Sequence, residues 1–162
     1  MSTTFERPIL STLVERLDEP RKKMQILSGA RQVGKTTLSI QALKKLQQPY
    51  VYVIAESGFT INWIDQQWAK ARALLHDAQP TGAILIIDEI QKIENWSERI
   101  KRLWDEDTTQ ERAVKVVLLG SSSLLLHRGL TESMAGRYEI IHIPHWSFSE
   151  CQAAFDTAVP AE

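Results

Sequence analysis

The residues Gly29-Ala30-Arg31-Gln32-Val33-Gly34-Lys35-Thr36 carry the most specific chemistry in the chain. They match G-x-x-x-x-G-K-[ST], a loop whose amides close around phosphate oxygens. Glycine at both ends allows backbone angles that a Cβ disfavours, and it lets the main chain approach an anion closely. A helix opening at Lys35 would add unpaired N–H groups and a positive dipole end. In that arrangement Lys35 reaches the β- and γ-phosphates and Thr36 offers its hydroxyl to Mg²⁺. Thr37, in the same first turn, completes the expected cradle.

A second group, Ile84-Leu85-Ile86-Ile87-Asp88-Glu89, is an apolar run ending in two acids. A strand covered on both faces reads this way, and ligands of open α/β sheets sit beyond the carboxyl ends of such strands. Asp88 is placed to hold Mg²⁺ through its water shell, and Glu89 to orient an attacking water. Gly120-Ser121-Ser122-Ser123 closes another apolar run with hydroxyls. Ser121 or Ser122 there suits a contact with the γ-phosphate or the water, and equally a helix N-cap. Arg137 precedes a further apolar run and suits stabilisation of charge developing on the γ-phosphate. From spacing alone it also suits a surface arginine.

These groups act together only if the elements between them bring them to one edge. Ile9, Leu10, Leu13, Val14 and Leu17 recur at helical spacing, with Pro8 in a first-turn position and Asp18-Glu19-Pro20 as the stop. Residues 24–28 predict a strand that runs into Gly29, and 35–46 a helix ended by Pro49. Strands are predicted over 50–54, 83–87, 114–119 and 138–143, and helices over 61–75, around Trp96–Trp104 and within 122–135. Gln79-Pro80-Thr81-Gly82 signals a turn. Alternating strands and helices imply parallel pairing with right-handed crossovers, hence a three-layer α/β domain. Ser147-Phe148-Ser149-Glu150 has the spacing of a capping box for one more helix.

Composition narrows the function classes. The chain has 162 residues, 43% apolar and 24% charged, as one soluble domain would. Nineteen basic against twenty acidic residues give a net charge of -1, so a general basic surplus for nucleic acid is missing. No apolar run approaches the roughly 20 residues of a membrane span. The lone Cys151 makes neither an internal disulfide nor a cysteine-based metal cluster, and a reducing cytoplasm is its natural setting. His76, His127, His142 and His145 have no ligand spacing. Trp63 could stack on a base or simply pack, and Arg99, Lys101 and Arg102 read as a solvated helix face.

GARQVGKTT, LIIDEIQ, KRLWDED, VVLLGSSSLLL and AGRYEIIHIPHWSFSE, in this order, resemble a prokaryotic group of AAA-type ATP-binding proteins. The similarity runs from Arg7-Pro8 to Glu150, and its members pair an N-terminal ATPase domain with a C-terminal domain of unknown function. The resemblance implies a P-loop NTPase fold with a parallel five-stranded sheet in the order 5-1-4-3-2. It makes Gly29, Gly34, Lys35 and Thr36 the Walker A positions and Asp88 and Glu89 the Walker B pair. Ser121 falls near the polar sensor position, and Arg137 at the arginine that often serves as a finger across a subunit boundary. Residues 1–150 are then the ATPase domain, and 151–162 the start of a connection to a C-terminal region.

Mg-dependent ATP binding with slow hydrolysis, stimulated by a partner or by oligomerisation, is the expected function. A non-hydrolysing switch that binds a partner when nucleotide is bound is the alternative. A small-molecule kinase would carry a second Arg-rich lid segment, and a GTPase an Asn-Lys-x-Asp segment, and neither is present. Expected ligands and partners are ATP and ADP, Mg²⁺, further copies of the chain, and a protein or nucleic-acid client.

Overall fold

The computed structural model describes residues 5–76, 81–121 and 134–155. In chain order the elements are α1 (Ile9–Asp18), β1 (Met24–Ser28), α2 (Lys35–Leu46), β2 (Tyr50–Ile54), α3 (Ile61–Ala73), β3 (Ala83–Asp88), a 3-10 turn (Ile90–Lys92), α4 (Trp96–Thr109), β4 (Val114–Gly120), β5 (Tyr138–His142) and α5 (Phe148–Phe155).

The strands form one parallel sheet in the order β2-β3-β4-β1-β5, which is 5-1-4-3-2 read from the other edge. The three central strands are buried at every position, which explains their mostly apolar sequences, with Gln25 and Lys115 as the buried polar exceptions near the strand starts. Side chains alternate across the sheet and divide the core in two. Leu27, Ile84, Ile86, Val117, Leu119 and Ile141 meet α1 and α2 through Leu10, Leu13, Leu17, Leu38 and Leu43. Ile26, Leu85, Ile87, Val116 and Leu118 meet α3 and α4 through Ile64, Trp68, Trp96, Ile100 and Trp104.

Trp68 is completely buried because its indole N–H donates to Asp107 at 2.7 Å. Arg72 binds the other oxygen of that carboxylate at 2.8 Å, so the charge buried between α3 and α4 is compensated.

Most strand and helix ends lie within two residues of the sequence expectation, but α4 runs five residues past Trp104, to Thr109. Helix α3 stops at Ala73, although Leu75 still packs on the core. β3 and β4 each gain a residue, Asp88 and Gly120, which keeps these residues in the ladder beside the site. The 3-10 turn after Glu89 is unforeseen, since three residues leave no periodicity to read. The helix expected within 122–135, Ser122 included, falls almost wholly outside the described residues, as do Gln79 and Pro80 of the turn expected at 79–82, while Gly82 has the left-handed φ of 82° that a turn uses. At the tail both halves of the capping box form: Ser147 Oγ accepts from the Glu150 amide at 3.1 Å, and the Ser147 amide donates to Glu150 Oε1 at 3.3 Å.

Candidate functional site

β1, β3 and β4 end at one cleft of about 480 Å³, lined by Arg31, Gln32, Gly34, Lys35, Thr36, Thr37, Asp88, Glu89, Gln91, Lys92 and Ser121. The fold thus gathers the loop, both acids and Ser121, from segments about ninety residues apart. The glycines earn their places by geometry. A Cβ on Gly29 would stand 2.7 Å from the carbonyl oxygen of Ile143, and Gly34 turns into α2 at φ +90°. Ala30, Arg31 and Gln32 are exposed on the loop, whereas the Val33 side chain is buried beneath it. Val33 therefore anchors the loop and offers a ligand only its backbone.

Lys35 Nζ donates to the carbonyls of Gly29 and Ala30, each at 2.8 Å. The ammonium is folded back over the loop mouth. Burial pulls its pKa below the ordinary lysine value, while Glu89 and Asp88 pull it back. Thr36 Oγ1 donates to Asp88 Oδ2 at 2.7 Å. These hard oxygens beside a phosphate loop are the donor chemistry Mg²⁺ takes when phosphate and water complete its shell. Among the described residues no group of three or more His, Cys, Asp or Glu forms an alternative metal site.

Three contributors have no role in the sequence reading, although one of them, Gln91, lies in the LIIDEIQ stretch. Tyr52 pairs with Ile86 across the β2–β3 ladder, and Ile54 pairs with Asp88. Tyr52 and Asp88 therefore share a sheet face one step apart, and the phenol donates to Asp88 Oδ2 at 2.8 Å. Burial, with this hydrogen bond adding to it, pushes the Tyr52 pKa up to about 12. Gln91 donates to Glu89 from the 3-10 turn. Arg7, 6% exposed, donates to the Val33 carbonyl at 2.9 Å, to the Pro144 carbonyl at 3.0 Å and to Glu150 at 2.6 Å. It ties the phosphate loop to the exit of β5 and to α5. Beside the loop, Phe5, Thr37, Leu38, Trp146 and Phe155 line an apolar hollow of about 270 Å³. A tyrosine inside a strand or an arginine before a helix gives no spacing signal, so only the folded contacts reveal these roles.

Arg137 is not brought to this cleft. It precedes β5 at Met24, the opening end of β1, whereas the loop follows Ser28. The strand between them puts roughly 13–17 Å across the sheet. Its guanidinium binds Asp105 on α4 at 2.8 and 3.0 Å, and this bond raises its pKa. Trp63 packs with Phe59, ring centroids 5.0 Å apart, on the α3–α4 face. A larger groove, about 1020 Å³, runs along α4, and three of its cations pair with neighbouring acids, Arg99 with Asp65, Arg102 with Glu106 and Arg112 with Asp107.

Comparison with known proteins places this geometry in context. Residues 21–152 match a family described as AAA domain. An uncharacterized protein of Haemophilus influenzae is 29% identical over 136 residues, which cover 78% of this chain and 32% of that protein. An uncharacterized protein of Methanocaldococcus jannaschii is 28% identical over 116 residues, covering 71% of this chain and 25% of that protein. The chain thus spans about a third or less of the length of these relatives. A variant of RuvB from Thermotoga maritima superposes with a TM-score of 0.66 at 19% identity, over 92% of this chain and 47% of that one. At that identity the likeness concerns the fold.

Proposed function

We propose that this chain, which belongs to the AAA domain family, binds ATP with Mg²⁺ and hydrolyses it by in-line attack of water. The observation that carries this is the meeting of Thr36 and Asp88 at 2.7 Å within the cleft that the phosphate loop opens. Mg²⁺, when bound, would neutralise charge on the β- and γ-phosphates.

The loop amides and the start of α2 hold phosphate oxygens. Lys35 exchanges its two carbonyl partners for phosphate, a stronger charge-assisted bond. Thr36 and Asp88 would hold the metal, and Tyr52 fixes the Asp88 carboxylate by its hydrogen bond to Oδ2. Glu89, beside Asp88, orients the water and takes its proton. Ser121 faces the same space and suits a contact to the γ-phosphate. The apolar hollow next to Gly34 and Thr37 suits the nucleobase.

Calorimetry and single-turnover hydrolysis test the assignment together. Glu89→Gln should bind Mg-ATP like the parent and lose about 10²-fold or more in turnover. Parent-like hydrolysis by Glu89→Gln would overturn it.

A nucleotide-dependent switch with negligible turnover is favoured by one observation, the Arg7 tie between loop and α5. It predicts tight ATP binding with no phosphate release in a single turnover. The wider setting is proposed on the family resemblance: a cytoplasmic protein, 1–150 as the ATPase domain with a C-terminal region following, and homo-oligomers or a client that stimulate the site. Among the described residues no helix is long and apolar enough to cross a membrane.

A further inference from the structure

Gln91 lies in the 3-10 turn two residues past Glu89 and is 2% exposed. Its Nε2 donates to Glu89 Oε2 at 2.5 Å. A carboxylate oxygen only accepts, so this contact fixes which end of the amide faces Glu89. The other end, Oε1, is buried with no hydrogen-bond partner among the described residues. Buried amide oxygens are nearly always paired, and an apolar side chain of similar volume would avoid the penalty. Glu89 carries a penalty of its own. Its φ of 58° lies in the left-handed region, where Cβ crowds the following carbonyl.

Two neighbouring residues thus each hold an unfavourable local state, and both states fix the position of one carboxylate at the cleft. Such states persist where surrounding structure over-determines them, and they cluster at functional sites. We infer that Gln91 is a positioning residue that holds the Glu89 carboxylate for the attacking water, against its own stability. This rests on the role proposed for Glu89. Leucine or methionine would fill the space under the strand end without a buried unpaired oxygen, so a Gln91 kept for stability predicts lower melting in those variants and a positioning role does not.

Gln91→Leu and Gln91→Met keep volume and remove the donor. Both should reduce single-turnover ATP hydrolysis at least tenfold, leave Mg-ATP affinity within about twofold, and melt at the parent temperature or above it. Gln91→Glu keeps the shape but turns an acceptor and a like charge toward Glu89. It should lose turnover as well, with affinity preserved. Adding Gln91→Leu to Glu89→Gln should cause no loss beyond Glu89→Gln alone, because the two act through one carboxylate. If Glu89→Gln is inactive while the apolar variants hydrolyse like the parent, the positioning role is wrong and the reading of Glu89 stands. If the apolar variants melt lower, or fail to fold, Gln91 is structural and the inference is overturned. If Glu89→Gln hydrolyses like the parent, the reading beneath the inference fails first.

Discussion

At the scale of single residues, the proposed site is a set of hydrogen bonds that an anion would exchange. Lys35 is satisfied by the Gly29 and Ala30 carbonyls, so binding phosphate replaces two neutral acceptors with charged ones. Lys35→Ala removes the one charge-assisted bond that gains most and should weaken Mg-ATP by roughly 1.5–3 kcal/mol, about tenfold to over a hundredfold. Calorimetry giving equal affinities would remove the assignment. Asp88 answers to two donors at one oxygen, Thr36 at 2.7 Å and Tyr52 at 2.8 Å. Asp88→Asn turns part of that acceptor into a donor facing them. ATP affinity should then lose most of its dependence on Mg²⁺ in a titration from zero to millimolar metal, while parent-like dependence would place the metal elsewhere. The residues of this set that sequence revealed lie in contiguous motifs or end an apolar run: Gly29 to Thr36, and Asp88-Glu89. Tyr52 and Gln91 were illegible for a physical reason. Tyr52 meets Asp88 only through the register of two parallel strands. Gln91 meets Glu89 only because a 3-10 turn folds back under the strand end.

At the scale of elements, the parallel three-layer architecture was legible because buried strands and amphipathic helices alternate cleanly, whereas the order of strands across the sheet came from the resemblance alone. The consequence of Arg7 was not, since its partners lie 26 to 143 residues away. It fastens α5 through Glu150, whose own helix is capped by Ser147. Helix α5 has no fully buried residue, so this tie and the Trp146 ring under the guanidinium, 5.2 Å away, are prominent in holding it. The hydrogen bond from Arg7 holds the Glu150 carboxyl below the ordinary value of 4.5, with Ser147 contributing. A carboxyl depressed in the folded state stabilises above its unfolded pKa and loses that contribution as pH falls through the folded one. Docking of α5 should therefore be intact at pH 5–7 and loosen as pH falls below about 4.5. Tryptophan fluorescence, with Trp146→Phe as the subtraction control, reads the release. Glu150→Gln should remove that pH step and loosen α5 at neutral pH. A step that survives in Glu150→Gln would assign it to other carboxylates.

At the scale of the whole molecule, the position of Arg137 decides between a self-sufficient site and a shared one. Arg137 and the phosphate loop sit at opposite ends of β1, with a whole strand between them. An arginine side chain reaches about half that span, so this residue cannot serve its own nucleotide without dismantling β5. Its pairing with Asp105 is on the surface, where an ion pair is exchanged readily for a phosphate. If Arg137 acts on the reaction, it acts on the nucleotide of a neighbouring copy, stabilising charge in the transition state more than in the ground state. Specific ATPase activity should then rise with protein concentration, and Arg137→Ala should abolish the rise with ATP affinity nearly unchanged. Mixing sharpens the test. Glu89→Gln subunits cannot complete hydrolysis but retain Arg137, and Arg137→Ala subunits retain an intact cleft. Neither is active alone, and together they should recover activity in proportion to the mixed interfaces. Activity that is independent of concentration and unrescued by mixing would assign Arg137 to anchoring α4 through Asp105 and would make the chain's cleft complete on its own. Sequence placed this arginine correctly before the last strand. It could not say whether the side chain serves a neighbouring copy at all, because any assembly is written in surface complementarity between copies and not in the spacing along one.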